Sequence, residues 1–294
     1  MTAPRPGTNC IDKRALTQLA MRASIKTRTR ASADLVSPIC IFDLCERLGV
    51  KVRFVDINME GMYDRAPEPR IHLSSLRPLP RRVSTCGHEL GHHEFGHGST
   101  IDEMKVEADA YQADHPDEFL VNAFSAFTLM PIIGLRGGFA RRGSKIASAD
   151  DLQVFRVACN FGVGYATLVS HLAYGVQEMS GARARELLRS SPKSIRRKLL
   201  GDDSAKPLVL VDDHWTARAI DAEVGTTVIL PRGSTVEGDL LSREGECDFG
   251  MVYTAARPGI GRVHPGAGQP LFIRVSRENY VGLARYRHLE DDDV

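Results

Sequence analysis

The run Thr85-Cys86-Gly87-His88-Glu89-Leu90-Gly91-His92-His93 constrains the chain more than any other stretch. If the run is helical, histidines four residues apart project from one face a single turn apart, and two imidazoles so placed can hold a single zinc ion. Glu89, beside the first of them, then stands where a general base is needed. A helix with two ordinary surface histidines would carry the same letters, so the flanks must decide. Pro80 suits a first helical turn, Val83 and Leu90 supply apolar positions, and Gly96 and Gly98 mark the end. The run is therefore predicted to lie on a helix.

The 294 residues, 43% of them hydrophobic, suffice for one or two globular units with a real core. A net charge of +1 gives no general electrostatic case for nucleic acid or an anionic membrane, so partners must be argued locally. The start, Met1 to Asn9, is polar, and no apolar stretch long enough to span a bilayer occurs, so a cytoplasmic protein without membrane association is expected. Cys10, Cys40, Cys45, Cys86, Cys159 and Cys247 form no C-x-x-C pair, which suits reduced thiols.

In chain order, Asp12 to Ile25 carries apolar positions at helical spacing. Ser37-Pro38 reads as the cap and first turn of a second helix ending at Gly49. Val50 to Val55 is a strand, and Met59 to Leu73 supplies one or two more. After the motif helix, Asp114-His115-Pro116-Asp117-Glu118 opens an apolar helix, with Asp114 or His115 near its N-cap, through Phe119, Ala123, Phe124 and Phe127 that stops at Pro131. Ala149 to Gly175 reads as two helices broken at Gly162-Val163-Gly164, a helix-turn-helix-like unit whose plain alternative is helical packing. Arg183 to Lys198 is a basic run, either a solvated helix face or a surface for nucleic acid or an acidic partner. After a linker from Gly201 to Lys206, the runs Leu208 to Val211, Thr226 to Leu230, Phe249 to Tyr253 and Leu271 to Val275 read as strands. The expected fold class is α+β: a mainly helical zincin-like metallopeptidase domain with a small sheet (1–145), a helix-turn-helix-like segment (146–200) and a small β-rich domain (201–294).

Two histidines do not complete a hydrolytic zinc site, which needs three protein ligands and an open position. His97 lies five residues after His92 with Gly96 directly before it, a register that does not match the metzincin spacing. Glu118 opens a second apolar helix able to pack beside the first, with Asn122 one turn further on the same face as support for a ligand histidine. Glu107, Asp109, Asp114, His115 and Asp117 remain rivals on spacing alone. Cys86 points roughly 200° away from His88 on a helix and is expected to be a buried structural thiol.

Arg81-Arg82 before His88-Glu89-Leu90-Gly91-His92, followed by Glu118-x-x-x-Asn122-Ala123-Phe124 and Leu129-Met130-Pro131, resembles the ImmA/IrrE family of zinc metallopeptidases, over roughly Leu35 to Gly175. Val121 and Thr128 depart from residues the family often has there. The resemblance implies His88, His92 and Glu118 as the ligands of Zn2+ and Glu89 as the catalytic base. Tyr63, His72, His93 and His97 are all candidates for stabilising the transition state. The resemblance also implies a site-specific endopeptidase that cuts a helix-turn-helix transcriptional repressor in a stress, mobile-element or phage-defence response. A nucleic-acid activator contacting the basic run is a further expected partner. The alternative from another class is a DNA-binding transcriptional regulator with a structural zinc. Such a zinc has no use for Glu89 and usually takes four protein ligands.

Overall fold

The computed structural model describes residues 12–102, 115–216, 218–266 and 268–289. The polar start, Cys10, the rivals Glu107, Asp109 and Asp114, and the acidic tail 290–293 lie outside the described residues. The fold class is α+β, as expected, with helices and a small sheet in the N-terminal part and β-structure in the C-terminal part.

Helix α1 (Lys13–Arg30) is capped by Asp12, whose carboxylate accepts from the Ala15 amide at 3.0 Å. Near its end the buried Arg28 donates to the carbonyls of Asp34, Ser37 and Thr128 at 2.6–2.7 Å, which fixes the following segment to the helix that holds Thr128. Helix α2 (Ile41–Arg47) starts later than Ser37-Pro38 suggested. Asp34 accepts from the Val36 and Ser37 amides, so this stretch forms a side-chain-stabilised turn before the helix.

Strands β1 (Lys51–Val55), β2 (Gly61–Asp64), β3 (Arg70–Ser74) and β4 (Thr100–Asp102) form the N-terminal sheet. Alternation puts Val52, Phe54, Ile71 and Leu73 inside. Its order is β13-β1-β3-β2-β4, where β13 (Gly282–Leu283) returns from the far end of the chain to pair antiparallel with β1. Helix α3 (Leu79–Phe95) carries the motif, has Pro80 in its first turn, and stops where Gly96 turns left-handed at φ 70°. It packs on β2, β3 and α4 (Pro116–Leu129). The chain then bends by 43° into α5 (Ile132–Arg141).

Helices α6 (Asp151–Phe161) and α7 (Tyr165–Ser170) meet at the Gly162 turn and, with the wider turn His171–Gly175, bend by 104°. A capping box, Asp150 with Gln153, begins α6. Helices α8 (Gly181–Leu187) and α9 (Pro192–Leu200) follow. Among the described residues no single helix is long and apolar enough to cross a membrane.

The C-terminal part holds two four-stranded sheets, β5-β7-β10-β9 and β6-β12-β11-β8. Their strands are β5 (Leu208–Leu210), β6 (Ile220–Glu223), β7 (Thr227–Leu230), β8 (Thr235–Val236), β9 (Leu241–Cys247), β10 (Gly250–Ala255), β11 (Gly259–His264) and β12 (Leu271–Ser276). Buried charge ties this part to the N-terminal part. Asp221 on β6 meets Arg218 and Arg274 at 2.8 and 2.7 Å, and Arg274 also reaches Asp43 on α2 at 2.7 Å. Burial raises the Asp221 carboxyl, and the Arg218 and Arg274 guanidiniums more than offset it, leaving it well below the usual carboxylate range. Arg82 on the motif helix pairs with Glu223 on β6 and lies over the Phe54 ring at 5.0 Å.

Candidate metal centre

The third candidate ligand reaches the motif because two glycines let the helices close. A Cβ on Gly91 would stand 2.8 Å from the Val121 Cβ and 3.1 Å from its Cα, and one on Gly87 would stand 2.4 Å from the Ser125 Oγ. Any larger side chain at either position would push α4 away from α3. With both absent, α4 lies close enough for its first turn to bring Glu118 over His88 and His92.

The three residues converge. His88, His92 and Glu118 each offer a ligand atom within 4.8 Å of the others. The two Nε2 atoms are 3.1 Å apart, and the Glu118 oxygens lie 3.6 Å from His88 Nε2 and 3.8 Å from His92 Nε2. A tetrahedral zinc with bonds of about 2.0–2.1 Å separates its ligands by roughly 3.3 Å, so the set fits such an ion within a few tenths of an ångström. His92 is nearly inaccessible, whereas Glu118 keeps 22% of its side chain exposed, which leaves an approach from solvent.

The neighbouring hydrogen bonds aim the imidazoles. His88 Nδ1 lies 2.7 Å from Asn122 Oδ1, an acceptor, so the proton sits on Nδ1 and the Nε2 lone pair faces the site. Asn122 thus occupies the supporting position expected for it. His92 Nδ1 lies 2.9 Å from His97 Nδ1, and His97 Nε2 lies 3.8 Å from Asp117 Oδ1. A consistent proton order runs from His92 Nδ1 to His97 and from His97 Nε2 toward Asp117, again leaving His92 Nε2 as a lone pair. Sequence spacing set His97 aside as a ligand, and it is instead the partner that orients one. That role follows from the Gly96 turn, which reverses the chain beneath His92.

Glu89 is fully buried, and β2 passes over it. A Cβ on Gly61 would come within 2.6 Å of Thr85 Cγ2 and 2.8 Å of Glu89 Oε1, so only a glycine leaves the carboxylate its place. Nothing in the sequence flagged Gly61. Its neighbour Glu60 is clamped by Arg77 and Arg81 at 2.8 and 2.7 Å, which anchors this strand to the start of α3. The Tyr63 hydroxyl lies 2.8 Å from His93 Nδ1; burial raises the tyrosine and lowers the histidine, so both are neutral near pH 7. His72 on β3 stands in register with Met62 of β2. Cys86 is buried with its sulfur 3.7 Å from that of Cys45, away from the imidazoles. Of the rivals within the described residues, His115 stands at the N-cap position of α4 and Asp117 sits behind His97.

The other sequence features settle differently. Tyr165, Leu168 and Val169 of α7 are buried, and the Tyr165 hydroxyl donates to the Leu187 carbonyl at 3.0 Å. In the basic run, Arg183, Arg196, Arg197 and Lys198 pair with Glu186, Asp202, Asp203 and Asp151.

No curated protein matches the chain. Among solved structures, a Mycobacterium tuberculosis transcriptional regulator is similar at a TM-score of 0.34 and 16% identity. That likeness covers 54% of this chain and 46% of that one, so the chain spans under half the length of that structure, and at this level it carries no argument. Residues 45–172 match the family described as IrrE N-terminal-like domain, Peptidase_M78. That span holds the motif helix, the sheet strands β1 to β4, the Glu118 helix and the α6–α7 unit. Over residues 45–172, therefore, the chain matches the IrrE N-terminal-like domain of the Peptidase_M78 family.

Proposed function

We propose that the chain is a zinc-dependent, site-specific endopeptidase whose substrate is a helix-turn-helix transcriptional repressor, cut in a stress, mobile-element or phage-defence response. The match of residues 45–172 to a peptidase family supports the reaction class. The observation that carries the reading is the convergence of His88, His92 and Glu118 with Glu89 buried beside them. A zinc ion held there would supply Lewis acidity toward a peptide carbonyl and acidify water. In this reading Glu89, buried beneath Gly61, takes the proton of the attacking water and returns it to the leaving amine. Asn122 and His97 hold the two imidazoles in their ligating tautomers.

The repressor substrate rests on the family resemblance. The test is incubation of the full chain with the helix-turn-helix regulator encoded beside its gene, with and without zinc. Cleavage by the wild type and none by a zinc-loaded Glu89→Gln variant is expected; cleavage by that variant would remove Glu89 as the base. The β-rich part is proposed to sense a signal or dock the repressor. Truncation after Gly201 would not test this cleanly, because it removes β13 from the N-terminal sheet and Glu223 from the buried Arg82.

The DNA-binding alternative draws on the α6–α7 unit and the basic run. The buried face of α7 and the four ion-paired cations of the run weigh against it, since a reading helix must present side chains to a groove.

A further inference from the structure

Away from the metal centre, a cavity of about 680 Å³ opens where four parts of the chain meet: the first turn of α3, the turn between α6 and α7, the turn from α8 into α9, and the start of the β-rich part. Pockets of roughly 300–1,000 Å³ are the usual size for organic ligands. Its walls are largely apolar and include Leu79, Phe155, Val163, Leu208 and Trp215. The Trp215 indole already donates to the Arg218 carbonyl at 2.8 Å, so it offers the cavity a flat apolar surface. Packing atoms against such walls recovers dispersion contacts that an empty space forfeits.

The charge around this apolar space is one-sided. Arg81, Lys193, Arg196, Lys206 and Arg218 line it, against the carboxylates of Asp221 and Glu223 alone. Both carboxylates are paired, Asp221 with Arg218 of the same lining and with Arg274, and Glu223 with Arg82. The Arg81 and Arg196 guanidiniums are also engaged, by Glu60 and Asp202. Lys193 and Lys206 are exposed and bring positive charge to the solvent side of the cavity.

We propose that this cavity binds a small apolar organic acid. Its hydrocarbon body lies against Phe155, Val163 and Trp215, and its carboxylate meets Lys193 and Lys206. The occupant leans on Leu79 and Arg81, in the first turn of the helix that carries His88 and His92. Arg81 in turn holds Glu60, the neighbour of the glycine that seats Glu89. Binding here is independent of the peptidase reading, and the test reads binding alone.

Trp215 is the single tryptophan of the chain, so its fluorescence reports on this wall. The full chain is titrated with octanoate and decanoate, and with octanamide as the neutral counterpart, and each titration is repeated by calorimetry. Saturable binding of both acids is expected, with octanamide weaker than octanoate by about tenfold or more. The double variant Lys193→Glu/Lys206→Glu, at two exposed positions, should lose that preference for the acid. Ala166→Phe, which fills the cavity, should abolish binding while the circular dichroism spectrum stays that of the wild type. No saturable binding of either acid at millimolar concentration overturns the proposal, as does equal affinity for octanamide. Acid binding unchanged in the lysine variant overturns it too, whatever the fate of Ala166→Phe.

Discussion

Replacing Gly91 with alanine tests how the metal centre is built. The new Cβ would stand 2.8 Å from the Val121 Cβ and 3.1 Å from its Cα and Cγ1. Ordinary carbon contacts lie at about 3.5–4.0 Å, so α3 and α4 must part by roughly 0.5–1 Å. Overpacking of this kind costs about 1–3 kcal/mol, and the better helix propensity of alanine returns about 1 kcal/mol. The net loss of stability is therefore small, about 0–2 kcal/mol, and a melting curve alone would be a blunt instrument. Metal affinity is sharper. Zinc sites tolerate distance errors of about 0.2 Å, and Glu118 lies less than one turn from Val121. Zinc affinity, measured by chelator competition, should fall about 10–100-fold, the scale on which a misplaced ligand shell acts. Val121→Gly in the same chain removes the Cβ and Cγ1 contacts and should recover part of that loss. Wild-type zinc affinity in Gly91→Ala, or a loss that Val121→Gly leaves untouched, would refute the helix-gap argument.

Other outcomes follow from the same geometry. Gly61→Ala should leave zinc bound yet lower peptide cleavage about tenfold or more, because its Cβ displaces Thr85 or the Glu89 carboxylate; full cleavage would mean that β2 does not set the base. Stability should fall on acidification. Burial lowers His171 from 6.5 to about 4, so the unfolded chain takes up that proton as pH drops through 6.5 and the folded chain only near 4. From pH 7 to 5 this costs about 2 kcal/mol, which urea titrations should register as a difference between wild type and His171→Leu; parallel pH profiles would contradict it. Burial likewise lowers His288 to about 3, so acid loss should persist in part in that variant.

The motif helix was legible because only a helix brings side chains four residues apart within reach of one ion, and Pro80 and Gly96 mark its ends. Helix α4 was legible from its apolar run, although spacing alone left Glu118 among several rivals and only the family resemblance singled it out. Gly61 and His97 were not, for a common reason. Each acts through contact between segments far apart or across a chain reversal, and neither strand alternation nor ligand register encodes that contact. Strands β9 and β11 escaped because Leu-Ser-Arg-Glu-Gly-Glu-Cys and Gly-Ile-Gly-Arg-Val-His are too polar or glycine-rich to stand out, their partners supplying the pairing. The two residues of β13 carry no local signal at all, and their place beside β1 depends on the charge cluster around Asp221 that brings the chain back. Ser37-Pro38 carried a cap signature, but the Asp34 turn claimed it first.

The central claim is that His88, His92 and Glu118 together hold the metal. Zinc content of the purified full chain, measured after dialysis for the wild type and for Glu118→Ala, tests it most directly. A single zinc per chain in the wild type and its loss in the variant is the predicted result. Equal zinc in the two would contradict the account and move the third ligand to another residue.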